Sequence, residues 1–210
     1  MKKNLVLIGI LFFFLGCEDY SHDYGFDRYY EEIVTVLEKK VFLLDNGQTL
    51  LSTTELRNPA KDGERILLHY TLLPEQTTGY DHTVRINGAG SVANADLEAV
   101  APDSVRLMKN EVVRLESLWT GSHFLNMQFY IDYHSKAHSI GLVADRLSLD
   151  ADPVEIYFKH DPNGDPKGFP SHLYASFNLK DVLGTPQRNK NIRIHINTSN
   201  YGEKTYDLVY

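Results

Sequence analysis

Apolar and polar residues alternate along most of this chain with a period of two, the mark of half-buried β-strands. Between Ile33 and Ile86 the apolar runs are short and rich in β-branched residues: Ile33–Leu37, Val41–Leu44, Thr49–Thr53, Ile66–Leu73 and Thr83–Ile86. Asp45-Asn46-Gly47 between the second and third predicts a tight hairpin. Pro59, Gly63, Pro74, Gly79 and Gly88 mark the remaining turns. Five short strands in this span suit a small barrel, of which the OB-fold is the common five-stranded form. Residues 54–63 are polar and contain Pro59, a poor match for the helix such barrels usually carry there. Further on, Val112–Leu118 fits a strand, although Val105, Met108, Val112, Leu115 and Trp119 also recur at helical spacing. The strand reading is preferred because Thr120-Gly121-Ser122 turns into the clearest alternation of the chain. There Leu125, Met127, Phe129, Ile131 and Tyr133 share one face, and Asn126, Gln128 and Asp132 the other. Alternating runs follow at 140–144, 154–158, 173–179 and 192–196, and residues 206–210 close the chain. Together they predict a second, antiparallel β-sandwich domain. The expected fold class is all-β: a barrel domain at 31–98, a linker within Leu97–Ser104 and a sandwich at 105–210.

The N-terminus changes where this protein is expected to work. Lys2 and Lys3 precede an apolar run from Leu5 to Leu15 that is broken only by Gly9. Eleven residues are too few for a permanent span, which needs about 20, and the pattern reads as a secretory signal at 1–16. Gly16 is followed by Cys17, the only cysteine, in an order that resembles the lipobox of bacterial lipoproteins. Cys17 is therefore the expected lipidation site, residues 17–30 the tether, and the membrane a partner through that lipid. Glu18-Asp19 after the cysteine resembles the acidic surface-export signal of the Bacteroides group. The expected location is the outer membrane, on its surface or its periplasmic face.

The chain carries 28 acidic and 21 basic residues, a net charge of −7. The imbalance is uneven: residues 18–103 hold 16 acidic and 7 basic side chains, and residues 104–210 hold 12 of each. An acidic half with no basic cluster argues against nucleic-acid binding.

The order of these features carries a resemblance. A lipobox cysteine is followed by Leu44-Asp45-Asn46-Gly47, Arg65-Ile66 with Tyr70, Trp119-Thr120-Gly121, and Leu125-Asn126-Met127-Gln128-Phe129. Then come His138 before Leu142-Val143, His160-Asp161 with Asp165, and Tyr206-Asp207-Leu208-Val209-Tyr210. The whole resembles the NigD-like lipoproteins of Bacteroides-type bacteria. That resemblance implies an N-terminal OB-like domain and a C-terminal β-sandwich, and it assigns no molecular activity.

Candidate chemistry is sparse. Asp161, Asn163 and Asp165 place oxygen side chains at alternate positions as a calcium loop does, but Pro166 and His172 stand where its glycine and glutamate belong. A polar turn is the simpler reading. His134 and His138 are four apart without the glutamate of a zincin motif. His138 and His160 could meet on neighbouring strands and, with Asp161 or Asp165, form a metal site. The simpler reading is two partly buried, hydrogen-bonded histidines. A nucleophile elbow, a phosphate loop and a cofactor motif are all missing from the sequence. Tyr130, beside Asn126 and Gln128, fits a sugar-binding patch, while burial statistics favour Trp119 and the tyrosines as core.

The expectation is thus a non-catalytic envelope module that binds a protein or glycan. The rival is an envelope-polymer hydrolase, which requires at least two of His138, His160, Asp161 and Asp165 to converge in a cleft. The short linker with Pro102 predicts docked domains, with Val100, Val105 or Leu107 between them and a shared groove as the natural ligand site. Mass spectrometry of the protein from its native membrane is expected to show lipid on Cys17 as the first residue. An unmodified Cys17, or cleavage elsewhere, would contradict the anchor.

Overall fold

The computed structural model describes residues 28–58, 60–185, 189–198 and 202–210. The expected signal at 1–16, Cys17, most of the tether and Pro59 lie outside the described residues.

The five N-terminal strands are β1 (Tyr29–Glu38), β2 (Val41–Leu43), β3 (Thr49–Ser52), β4 (Arg65–Leu72) and β5 (His82–Ser91). They close into a barrel in the order β1-β2-β3-β5-β4, with β4 returning to β1. Only β3 and β5 run parallel, which is the OB connection. Val34, Val36, Phe42, Leu50, Leu68, Tyr70 and Val84 fill it. The expected hairpin joins β2 to β3. Gly47 takes φ +88°, which favours glycine, and Asn46 Oδ1 accepts the Gln48 N–H at 2.9 Å. Among the described residues, 53–64 form bends and turns with no helix.

The sandwich begins earlier than the sequence pattern indicates. Strand β6 (Ala93–Val100) leaves the barrel after Val92 and joins the second sheet. Residues 97–100 are therefore strand rather than linker, and Pro102 opens a short helix, α1 (Pro102–Leu107). Then follow β7 (Arg114–Gly121), β8 (Phe124–Tyr133), β9 (Ser139–Asp145), β10 (Val154–Asp161), β11 (Phe169–Asn178), a single helical turn α2 (Lys180–Leu183), β12 (Asn191–Thr198) and β13 (Gly202–Val209). Their order is β13-β12-β10-β9-β6-β11-β8-β7.

The sandwich is built around β6, which serves both layers. Ala93–Asp96 pair with β11, and Leu97–Val100 pair with β9. A strand that switches sheets in this way makes a corner. Both of its pairings are parallel, as is β10 with β12, so the sheet expected to be antiparallel is mixed. Between the layers, Met127, Phe129 and Ile131 of β8 meet Ile156 and Phe158 of β10 and the three isoleucines of β12.

The barrel docks on the outer face of β8 and β11, the face whose polar residues suggested solvent. Asn126 and Ser176 there are buried, because Arg65 of β4 reaches across to them and is itself only 2% exposed. Its Nε donates to Ser176 Oγ at 3.1 Å and Nη1 to Thr35 Oγ1 at 3.0 Å. Nη2 donates to Asp45 Oδ2 at 2.8 Å and to Asn126 Oδ1 at 3.1 Å. The remaining Nη1 direction faces Asp45 Oδ1 at 2.7 Å, as an ion pair rather than an aligned hydrogen bond. The guanidinium plane lies 4.1 Å from the centre of the Phe124 ring. Asn126 Nδ2 closes the set by donating to Asp45 Oδ2 at 2.7 Å.

Gly121 is needed for this approach, since a Cβ there would stand 2.6 Å from Asp45. Ile33, Leu67 and Val92 pack with Trp119 and Tyr174 beside the polar set. The expected interface residues are elsewhere. Val105 is buried where α1 packs on β9, Val100 pairs within the sheet, and Leu107 is 86% exposed.

Removing one partner of a buried charge pair costs about 3–5 kcal/mol. Arg65→Met is therefore expected to lower unfolding stability by about 3 kcal/mol or more, read from urea denaturation. A loss below about 1 kcal/mol, the worth of an exposed pair, would contradict its role in the seam.

Candidate functional site

Two concave places gather the candidate residues. The first is the cleft beside the seam, of about 400 Å³. On its barrel wall, β1 supplies Glu31, Glu32 and Ile33, and the β2–β3 turn supplies Asp45 and Asn46. On its sandwich wall stand Trp119, Gln128 and Tyr174. The lining contains three carboxylates and no Lys or Arg.

Tyr174 Oη donates to Glu31 Oε1 at 2.8 Å, and His69 Nδ1 lies 3.1 Å from Glu31 Oε2. Burial, then the bond to Glu31 and its charge, push the Tyr174 phenol up to about 12. Glu32 accepts from the Tyr70 hydroxyl at 2.7 Å. Trp119 packs its apolar body on Ile33, Leu67 and Val92. A groove between barrel and sandwich thus lies beside the Arg65 seam, and not at Val100, Val105 or Leu107, where it was expected.

From the cleft an aromatic run continues along the outer face of the sheet. His172 packs against Tyr174 with ring centres 4.9 Å apart, and Tyr130 stacks on His172 at 4.6 Å. Arg114 lies 3.9 Å from the centre of the Tyr130 ring. Tyr130 is therefore on the expected face, with Arg114 and His172 stacked on its ring. Of the other two members of that patch, Asn126 lies under Arg65 and Gln128 lines the cleft.

The second place is a groove of about 720 Å³ at the mouth of the sandwich core. His160 ends the inward-facing row of β10, and His138 sits in the loop before β9. They meet: His138 Nδ1 and His160 Nε2 are 2.8 Å apart. His138 Nε2 reaches Asp165 Oδ2 at 3.2 Å, and His160 Nδ1 reaches the Glu111 carbonyl at 3.3 Å. Both imidazoles are nearly inaccessible.

Burial works to raise the Asp165 pKa. It is outweighed by the backbone N–H groups of His134, Ser135 and Lys136 and by the bond to His138, which hold the carboxyl well below its usual range. Burial lowers the His160 pKa; the bond to Glu111 opposes the shift and the charge of His138 adds to it.

Asp161 and Asn163 do not join this group. Asp161 Oδ1 accepts the Asn163 N–H at 2.8 Å and pairs with Lys109 at 3.0 Å. Asn163 Nδ2 donates to the Ala137 carbonyl and to Ser139 Oγ. The three oxygen residues at alternate positions therefore address three different neighbours. Gly164, with φ +72°, completes the turn. Among the described residues, no three His, Cys, Asp or Glu side chains are arranged to hold a metal ion. The His138–His160–Asp165 group is a chain of hydrogen bonds, with its ring nitrogens facing one another rather than a common centre.

Sequence reasoning missed Arg65 and Ser176, which make the seam, Glu31, which lines the cleft, and Asp45, which serves both. One signal was present, a lone arginine opening the long apolar strand Ile66–Leu72.

The NigD-like N-terminal OB domain matches residues 33–92, and the NigD-like C-terminal beta sandwich domain matches residues 97–210. No curated protein matches the sequence at a significant level. Among solved structures, a protein of unknown function from Bacteroides vulgatus is similar at TM-score 0.75 and 23% identity, over 87% of this chain and 91% of that one. A NigD-like immunity protein from Bacteroides caccae is similar at TM-score 0.60 and 21% identity, over 88% and 93%. A Bacteroides fragilis protein provisionally named a lipoprotein follows at TM-score 0.64 and 11% identity, over 87% and 98%. At these identities the likeness is one of fold. The two domain matches between them run from the first barrel strand to the last residue, and the chain belongs to the NigD-like family.

Proposed function

We propose that this chain is an envelope lipoprotein, anchored to the outer membrane through Cys17, that binds a protein or glycan partner in the cleft between barrel and sandwich without catalysing a reaction. The observation that carries this reading is the cleft itself. It lies at a domain seam, where pockets often form, and sets aromatic side chains opposite carboxylates. Its acidity matches that of the N-terminal half and favours a partner presenting basic groups. The name of the Bacteroides caccae neighbour, an immunity protein, is compatible with a protein partner but identifies no contact.

The rival reading, an envelope-polymer hydrolase, draws on the convergence of His138, His160 and Asp165. It stands second because all four ring nitrogens are turned to partners within the protein and both rings are nearly inaccessible, so none faces a substrate.

Trp119 is the single tryptophan and stands in the cleft, so its fluorescence reports occupancy. Titration with envelope protein and glycan fractions is expected to shift Trp119 emission. For a basic partner, the apparent affinity should fall as salt rises and fall several-fold in Glu31→Gln. A fraction that binds while leaving Trp119 emission and the Glu31→Gln affinity unchanged would place the partner elsewhere and overturn the reading.

A further inference from the structure

We infer that His138 and His160 share one surplus proton and act as an acid-sensitive clasp on the mouth of the sandwich. The inference concerns the second groove and is independent of the ligand cleft. It follows from counting protons along the chain Asp165–His138–His160–Glu111.

The two ends of that chain can only accept. The Glu111 carbonyl has no proton to give, so His160 Nδ1 must carry one. Asp165 receives the amides of His134, Ser135 and Lys136 on its two oxygens, an arrangement that selects the ionised carboxylate, so His138 Nε2 must carry one as well. Between the rings, at 2.8 Å, there is room for one proton and not two. Three protons on four nitrogens make the pair a singly charged cation beside one carboxylate. Removing a proton breaks one of the three bonds. Adding a fourth sets two N–H groups head to head and breaks the bond between the rings.

The surrounding charges place the surplus proton on His138. Asp165 touches His138, while His160 faces a neutral carbonyl. Asp161, at the end of β10, is already paired with Lys109 from the segment after α1. Lys136, in the loop before β9, turns its ammonium to the Gly164 carbonyl. Tyr133 on β8 presents its ring to His138 with centres 5.9 Å apart. Across the groove, Arg114, Asp132, the Glu111 side chain and Lys167 line the walls, two of each sign. The lowered pKa of His160 agrees with a neutral ring there at neutral pH.

The clasp joins four segments. It ties residues 134–138 to the β10–β11 loop through Asp165, and ties β10 to the segment leading into β7 through Glu111, whose N–H also donates to the His160 carbonyl at 2.9 Å. The sign follows from linkage. An imidazole whose folded pKa is lowered contributes full stability above its ordinary value of 6.5, and that contribution is lost as the pH falls below it. Mild acid is thus expected to loosen the mouth of the sandwich while leaving the barrel unchanged.

The test is nitrogen-15 NMR of histidine side chains in the full lipidated chain held in detergent, assigned with His138→Asn and His160→Asn. At pH 7.5, His138 should show two protonated nitrogens, and His160 a protonated Nδ1 with a bare Nε2. As the pH falls below 6.5, His160 should gain its second proton. Over the same range the amide exchange of Ser135 and Lys136, corrected for its intrinsic pH dependence, should rise several-fold relative to Leu68 in the barrel. Asp165→Asn should leave His138 neutral at pH 7.5. Two neutral rings in the unaltered protein at pH 7.5 would overturn the inference. So would His160 protonation with unchanged exchange at Ser135 and Lys136.

Discussion

A guanidinium can be buried only if its charge and its five N–H groups find acceptors, and the seam of this molecule is built around meeting that demand for Arg65. Thr35 and Asp45 supply acceptors from the barrel, and Asn126 and Ser176 supply them from the sandwich. No single domain satisfies the whole set, so the two must sit in one relative position for the charge to remain buried. The contribution of such an ion pair lies less in net stability than in penalising other arrangements, where the same groups would be left unpaired. The Gly121 approach to Asp45 and the packing of Trp119 on Ile33 and Leu67 both depend on that position.

The cleft is a consequence of this docking. Arg65 and its partners hold one end of the barrel against the sheet at Asn126 and Ser176. The neighbouring stretch at Gln128 and Tyr174 is covered less closely, and the Tyr174 hydroxyl reaches Glu31 of the barrel at 2.8 Å beside the cleft. Asp45 takes part in both, for it neutralises Arg65 on one side and lines the cleft on the other. The histidine group at the mouth of the sandwich follows the same physical rule in miniature. Its buried charge is tolerated because Asp165, held ionised by backbone amides, stands beside it.

Much of this fold is legible in the sequence, because a strand with one buried face must alternate. Strands β1 to β5 and β7 to β13 appear in the pattern, and the Asp45-Asn46-Gly47 turn appears where the hairpin requires it. Strand β6 does not. Its residues, Ala93 to Val100, serve two layers and carry Asn94 toward the barrel, so no single alternation marks them: Leu97–Val100 reads as linker and Ala93–Asp96 as the end of the barrel domain. Parallel pairing is equally silent, since it changes partners without changing the period. The seam is hidden for a related reason: alternation identifies Asn126 as polar-facing, and only tertiary contact covers that face. The candidate site is legible in part. His138, His160 and Asp165 were brought together by the chance of two neighbouring strands that the sequence allowed, whereas the direction of their nitrogens depends on loop geometry that no spacing encodes.

Barrel and sandwich form one body through the Arg65 seam. Backbone nitrogen-15 relaxation tests it most directly, since domains joined only by a flexible chain tumble separately. One rotational correlation time is expected for amides of β1–β5 and of β7–β13 alike. A distinctly shorter time for the barrel, with Arg65 intact, would contradict it.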